Sequence, residues 1–203
     1  MIRRDLDDGL LTLTIDRPDK ANALTSQMLN DLADHVEAGS IDERVKVIAL
    51  TGAGKVFSSG ADLGDVGAGL STDPAWERLS VAIASCPVLT IAALNGTVAG
   101  GAMGMVLACD LRIATPTAKS FYPVVKLGFL PQPSDPLRLA AIVGEPQAKH
   151  ILLTGAVLLA DEAKEIGLFD RLEDDPMRAT QDMVTDTIAA ERRHVAAIKA
   201  LFG

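Results

Sequence analysis

The chain has 203 residues, of which 48% are hydrophobic, and this predicts one globular domain over residues 1–203 with a sizeable core. Its formal net charge of -8 argues against nucleic acid or an anionic membrane surface as a partner, because both are bound through clustered Lys and Arg. No apolar run approaches the roughly 20 residues of a membrane-spanning helix, and no signal-peptide region follows the charged N-terminus, so we expect a cytoplasmic protein.

The first elements alternate between strand and helix. Residues 10–15, LLTLTI, alternate apolar side chains with Thr, which predicts a half-buried strand. A helix should follow, with Thr25 or Ser26 as its N-cap. Residues 45–52, VKVIALTG, form a nearly continuous apolar run, which is typical of a strand buried on both faces.

The middle of the chain repeats this alternation. We expect a helix near residues 74–85, a buried strand over 88–96, and a helix that starts in the glycine-rich stretch NGTVAGGAMGMVLACD. Short strands are expected at 111–115 and 120–125. The two cysteines, Cys86 and Cys109, have no spacing typical of a metal site or a disulfide framework.

From residue 136 onward the pattern predicts helices alone, including a long amphipathic segment over residues 177–201. Strands that alternate with helices, followed by helices, indicate an α/β core over about 1–135 with a helical C-terminal part over about 136–203.

Two loops share one design, in which a buried strand is followed by a turn of small residues and then by a chain that can become a helix. They are LTGAGKVFSSGADL and IAALNGTVAGGAMG. Such loops expose backbone N–H groups, and a helix N-terminus adds partial positive charge, so each can hold a carbonyl oxygen that becomes negative. Two loops directed at one point would form an oxyanion hole. The alternative is that small residues only let the chain turn and pack.

A nucleotide-binding module is the more distant alternative for these loops. GAGK lacks the spacing of a phosphate-binding loop, and Ala99 stands where the dinucleotide fingerprint begins with glycine. Neither Ser58 nor Ser59 is flanked as a nucleophile elbow requires.

Five motifs occur in order along the chain: RPDKANAL, GKVFSSGADL, NGTVAGGAMGMVLACDLRIA, LGFLPQPSDPLRLAAIVG and LLTGAVLLADEAKEIGLFDRL. Together they closely resemble the crotonase superfamily of enoyl-CoA hydratases and isomerases, over nearly the whole chain. The resemblance implies an α/β fold, a spiral of strand-strand-helix units. It also implies an enzyme that binds an acyl-CoA thioester, with CoA as part of the substrate and no prosthetic group or metal.

The resemblance also assigns site residues. It places the two oxyanion-hole donors at the backbone N–H groups of Ala61 and Gly101, which lie in the two loops already singled out. Lys20 and Arg17 become expected phosphate partners, with a solvated surface charge as the alternative role. The CoA contacts fall at Arg17, Asp19, Lys20, Ala21, Ala23, Ser59, Leu63 and Gly100.

Two positions depart from the hydratases of this superfamily. Those enzymes carry one glutamate three residues after the oxyanion glycine, where this chain has Gly104, and a second at the position of Val124. Addition of water needs a positioned acid and base, each contributing roughly 10²–10⁴-fold. We therefore expect a reaction other than standard hydration; isomerisation, decarboxylation and thioester hydrolysis stay open. A catalytically silent acyl-CoA-binding or assembly subunit is the alternative.

Three other residues are candidates for acid or base: Asp135, Tyr122 and Asp65. Asp135 precedes Pro136 and could instead cap the next helix, which is the commoner role for such a residue. The family continues with helices that cover the acyl pocket and build a trimer, so we expect a shortened C-terminal part and a homo-oligomer of undefined form.

Overall fold

The computed structural model describes residues 1–67 and 69–202, and its strands form two sheets. The larger sheet pairs its first two strands antiparallel and all other neighbours parallel. In spatial order it contains β1 (Ile2–Asp7), β2 (Leu10–Ile15), β3 (Val47–Gly52), β5 (Leu89–Leu94), β7 (Leu111–Ala114) and β10 (Arg171–Leu172).

The smaller sheet consists of short strands, and the first three of them each follow a strand of the larger sheet along the chain. Its first three strands are parallel, and the last is antiparallel. It contains β4 (Val56–Ser58), β6 (Thr97–Ala99), β8 (Lys119–Phe121) and β9 (Val157–Leu159). The pairs β3–β4, β5–β6 and β7–β8 therefore recur along the chain, each followed by a helix. This confirms the α/β spiral of strand-strand-helix units.

Eleven α-helices lie in the described residues, and none of them is long and apolar enough to cross a membrane. As expected, Thr25 caps the first helix, because its hydroxyl accepts a hydrogen bond of 3.2 Å from Met28 N. The helices are α1 (Ser26–Ile41), α2 (Leu63–Val66), α3 (Ala75–Ala84), α4 (Ala102–Ala108), α5 (Val124–Leu127), α6 (Asp135–Val143), α7 (Glu145–Thr154), α8 (Ala160–Glu165), α9 (Pro176–Met183), α10 (Thr185–Ala189) and α11 (Arg192–Lys199).

The central strands of the larger sheet are buried on both faces. Ile48 and Leu50 belong to the main core with residues of α1, α3 and α4. Val47 and Ala49 point the other way and pack in a second cluster that includes Val184, between α9 and α10. This double burial explains why β3 is a nearly continuous apolar run. Cys86 and Cys109 are both buried and free.

Three sequence expectations are wrong. The stretch 120–125 is only partly a strand, because β8 ends at Phe121 and Pro123, which has no N–H to donate, precedes α5. The part beyond residue 136 is not helical alone, since β9 and β10 add edge strands to the two sheets. The segment 177–201 is not one helix, because Ala190 is extended, with φ -73° and ψ 159°, and separates α10 from α11.

Candidate active site

The two glycine-rich loops meet because the strands before them are neighbours. β4 and β6 pair in parallel, with Ser58 opposite Val98, so the chain leaves both strands at one edge of the smaller sheet. β8 lies on the other side of β6 and ends at the same edge. Ala61, Gly101 and Tyr122 each follow one of these strands, and the carboxyl edge of parallel strands is a common place for ligands.

The first loop is held in place through backbone pairing with Leu24. Leu24 N donates to Gly60 O at 2.8 Å, and Asp62 N donates to Leu24 O at 2.9 Å. The N–H of Ala61, between these two partners, is not used in the pairing. Gly60 has φ +92°, and a β-carbon on it would lie 2.8 Å from Ala99 O. Glycine at this position therefore allows the two loops to approach each other closely.

The second loop is fixed by a tryptophan. A β-carbon on Gly101 would lie 3.1 Å from three carbons of the Trp76 indole, so the backbone at Gly101 rests on the ring. The ring is itself held by a 2.8 Å hydrogen bond from Trp76 Nε1 to Leu70 O. Within residues 1–67 and 69–202, no group accepts a hydrogen bond from the N–H of either Ala61 or Gly101.

A cavity of about 370 Å³ opens at the two loops. Ala61 and Gly101 lie in its wall, so both unpartnered donors border the same space. Most of its other walls are apolar, and Ser59, Leu63 and Gly100 are among its lining residues. Such a cavity suits a hydrophobic acyl group whose carbonyl oxygen accepts hydrogen bonds from the backbone.

Tyr122 and Asp135 form a buried hydrogen-bonded pair beside this cavity. Tyr122 lies in the cavity wall, and its hydroxyl donates to Asp135 Oδ2 at 2.8 Å. Asp135 has no exposed surface, and burial raises the pKa of its carboxyl from 3.8 to about 6. Burial, followed by the charge of Asp135, also raises the pKa of Tyr122, so the phenol stays neutral.

The expected capping role of Asp135 is wrong. Ser134 occupies the N-cap position of α6, and Asp135 is the first residue of the helix. The Asp135 side chain turns inward to the Tyr122 hydroxyl and makes no capping hydrogen bond. Asp135 therefore serves as a buried hydrogen-bond acceptor for the Tyr122 hydroxyl and not as a helix cap.

Gly104 lies one turn along α4 from Gly101 and faces the same carboxylate. A β-carbon at position 104 would lie 3.0 Å from Asp135 Oδ1 and 2.9 Å from Ser80 Oγ. The Asp135 carboxylate thus lies where a side chain from position 104 would begin. Val124, at the other position that lacks a glutamate, is buried in the cavity wall.

Of the residues expected to contact CoA, some are hydrogen-bonded within the fold and others are exposed. Arg17 is tied to the fold, since its guanidinium donates to Asp62 Oδ2 at 2.5 Å and to Ala23 O at 3.2 Å. Asp19 and Lys20 are exposed, and Ala21 O accepts a hydrogen bond from Ser59 N. The candidate base Asp65 lies in α2 and is not among the residues that line the cavity. In the described part of the chain, no cluster of three or more metal-ligating side chains is found.

Comparison with known proteins gives a consistent family. Residues 5–202 match the family model described as enoyl-CoA hydratase/isomerase. The chain is 36% identical over 201 residues to the Mycobacterium tuberculosis protein named "Probable enoyl-CoA hydratase EchA14", covering 96% of this chain and 78% of that protein.

Two solved structures show the same likeness. The enoyl-CoA hydratase/isomerase from Pseudoalteromonas atlantica has a TM-score of 0.91 at 30% identity, over 99% of this chain and 82% of that one. The enoyl-CoA hydratase from Bacillus anthracis has a TM-score of 0.91 at 25% identity, over 98% of this chain and 81% of that one.

Proposed function

The chain belongs to the enoyl-CoA hydratase/isomerase family, and from this premise we propose that it is an enzyme that enolises an acyl-CoA thioester. The thioester oxygen accepts hydrogen bonds from the N–H groups of Ala61 and Gly101. The observation that carries the proposal is that both N–H groups are unpartnered within the described residues and border one apolar cavity.

The two donors favour the enolate over the thioester. When a proton leaves the α-carbon, negative charge moves to the carbonyl oxygen, and fixed N–H groups stabilise that charge without rearranging. The Trp76 ring under Gly101 and the Leu24 pairing on both sides of Ala61 hold the donors in place before substrate binds.

The CoA moiety enters as part of the substrate and is not a resident cofactor. Lys20 is exposed and precedes Ala21, whose carbonyl oxygen accepts a hydrogen bond from Ser59 N. Lys20 is our candidate for a CoA phosphate partner. Arg17 supports this region structurally through its ion pair with Asp62.

The reaction differs from standard hydration in this proposal. Positions 104 and 124 carry Gly and Val, so neither supplies the acid or base that addition of water needs. Isomerisation proceeds through a thioester enolate and decarboxylation forms one, and an oxyanion hole also serves thioester hydrolysis. All three need the donors of Ala61 and Gly101.

Binding and enolisation can be tested separately. Trp76 is the single tryptophan and lines the cavity, so its fluorescence should respond to butyryl-CoA and not to butyrate, ATP or NAD. The α-protons of bound butyryl-CoA should then exchange into heavy water, while crotonyl-CoA is not hydrated at an enzymatic rate. A response to ATP or NAD and none to butyryl-CoA would contradict the proposal.

The loss of both glutamates favours one other candidate, a silent acyl-CoA-binding or assembly subunit. That candidate predicts a Trp76 response to butyryl-CoA with no α-proton exchange. Exchange by the wild-type protein rules it out.

A further inference from the structure

We propose that Tyr122 and Asp135 form a proton relay for the acyl group, in which Tyr122 Oη meets the substrate and Asp135 exchanges a proton behind it. The inference rests on the proposed function, because it supplies the acid and base that the enolate chemistry requires.

Tyr122 lies nearer the cavity than Asp135, and this sets the order in which the two residues act. Tyr122 is part of the cavity wall, whereas Asp135 has no exposed surface and lies behind the phenol. The 2.8 Å hydrogen bond from Tyr122 Oη to Asp135 Oδ2 is the link between them. In the relay, substrate contacts the phenol of Tyr122, and Asp135 acts through Tyr122 as a positioning residue.

The carboxylate is under-satisfied in a way that a purely structural role does not require. Asp135 Oδ1 is one of two buried side-chain atoms without a hydrogen-bond partner in the described ranges, and Arg138 Nη1 on the same helix is the other. Buried polar groups in folded proteins nearly always have partners, so an orphan beside a cavity indicates a site.

The surroundings of Asp135 bring the pKa of its carboxyl close to neutral pH. Burial raises its pKa most strongly, whereas the Tyr122 hydrogen bond and the charge of Arg138 lower the pKa, and Glu77 of α3 raises it. Helix α4, on the Gly104 side, carries no ionisable residue. With a pKa of about 6, Asp135 is ionised at neutral pH and can accept the phenolic proton.

The proton transfer balances within these groups. The α-carbon loses its proton to Tyr122 Oη, while the original phenolic proton moves to Asp135 Oδ2. The electron pair of the broken C–H bond passes into the thioester enolate, whose oxygen is held by Ala61 and Gly101. Return of the protons along the same path restores the dyad and delivers a proton to carbon.

The relay also explains the small residue at position 104. Any β-carbon there would come within 3.1 Å of both Asp135 oxygens. Glycine at 104 thus makes room on α4 for a carboxylate that α6 supplies.

The test combines exchange with a spectroscopic probe. Tyr122 is the only tyrosine, so protein labelled with ¹³C at the tyrosine Cζ gives one NMR signal from this site. We expect that signal to titrate with a midpoint near pH 6, and the rate of α-proton exchange from butyryl-CoA to rise through the same midpoint. In Asp135→Asn the signal should lose this titration.

The variants separate the relay from general damage. Tyr122→Phe and Asp135→Asn should each lose about 10²-fold or more in exchange rate while binding butyryl-CoA within a few-fold of wild type by Trp76 fluorescence. Thr180→Val, which removes a buried hydroxyl bonded to Pro176 O in α9, is the matched control and should retain exchange.

Each outcome decides at least one claim. The relay is overturned if α-proton exchange survives in Tyr122→Phe, or if exchange is lost in Asp65→Asn and retained in Asp135→Asn. Either result leaves the proposed function standing. Wild-type binding of butyryl-CoA without α-proton exchange overturns the relay and the proposed enolisation together and favours the silent subunit. Absence of butyryl-CoA binding overturns the proposed function through its binding step.

Discussion

The carboxylate of Asp135 lies against the α-carbon of Gly104, so that a β-carbon at position 104 would be 3.0 and 3.1 Å from its two oxygens. The two residues belong to α6 and α4, which pack together. Hydratases of the family carry a glutamate at the position of Gly104. In this chain, the space next to Gly104 is occupied by the side chain of Asp135, which belongs to another helix.

Gly104→Ala should therefore destabilise the protein although Ala is the better helix former. The helix preference favours Ala by about 1 kcal/mol, and overpacking against Asp135 and Ser80 costs about 1–3 kcal/mol. We expect a net loss of about 1 kcal/mol in the free energy of unfolding, measured in urea.

A double-mutant cycle with Asp135→Ala isolates the contact. The cost of Gly104→Ala should fall by at least about 0.5 kcal/mol in the Asp135→Ala background, because one of the crowding partners is gone. Strictly additive effects would show that the two residues do not interact.

Asp135 should make the protein less stable as the pH rises. Its pKa is raised in the folded protein, so its contribution favours folding below pH 3.8 and is lost as the pH rises through about 6. The difference between 3.8 and 6 corresponds to about 3 kcal/mol. Relative to wild type, Asp135→Asn should gain up to about that much stability between pH 4 and pH 7, measured by urea unfolding.

Carboxylates whose pKa is lowered, such as Asp42, remain in both proteins and cancel in this comparison. A wild-type-to-variant difference that stays constant over the pH range would contradict the burial of a titrating Asp135.

Gly60→Ala tests the close approach of the two loops, with Gly69→Ala as a matched control. Both glycines have similar positive φ angles, +92° and +96°, but only position 60 meets a backbone oxygen; at position 69 no described atom lies within 4 Å. We expect about 1–2 kcal/mol of strain at each site and about 1–3 kcal/mol more at position 60.

Gly60→Ala should also weaken the Trp76 fluorescence response to butyryl-CoA, since it pushes the loops apart. Equal losses of stability in Gly60→Ala and Gly69→Ala would argue against the contact with Ala99 O.

Ala61→Pro removes one of the two proposed oxyanion donors and leaves the two hydrogen bonds between Leu24 and its partners Gly60 and Asp62 in place. Loss of a single donor in such a site costs about 10²–10³-fold in rate, and we expect that loss in α-proton exchange from butyryl-CoA. Ala61→Gly keeps the N–H and serves as the control. A similar loss in both variants would mean that the N–H of Ala61 is not the group at work.

Local sequence patterns predict the four central strands of the larger sheet, because these strands are largely apolar. The charged edge strand β1 and the two-residue strand β10 were not predicted. The smaller sheet could not be found in this way, since β4 and β6 have three residues each and lie inside glycine-rich loops. Their pairing is nevertheless what brings the two loops together. The loops themselves were identifiable from their small residues alone.

The hydrogen-bonded pair of Tyr122 and Asp135 was only partly predictable. Tyr122 and Asp135 stood out as single candidates, but the sequence before Pro136 pointed to a cap. The inward turn of Asp135 depends on the space at Gly104 and on the Tyr122 hydroxyl, both distant along the chain. Such a contact has no periodic signal in the sequence.

The central claim is that the N–H groups of Ala61 and Gly101 polarise a thioester carbonyl. Difference infrared spectroscopy of butyryl-CoA labelled with ¹³C at the carbonyl measures that polarisation directly. On binding to the wild-type protein, the carbonyl stretch should move to lower wavenumber, and it should return toward the free value in Ala61→Pro. A bound thioester whose carbonyl stretch equals that of free butyryl-CoA in water would contradict the claim.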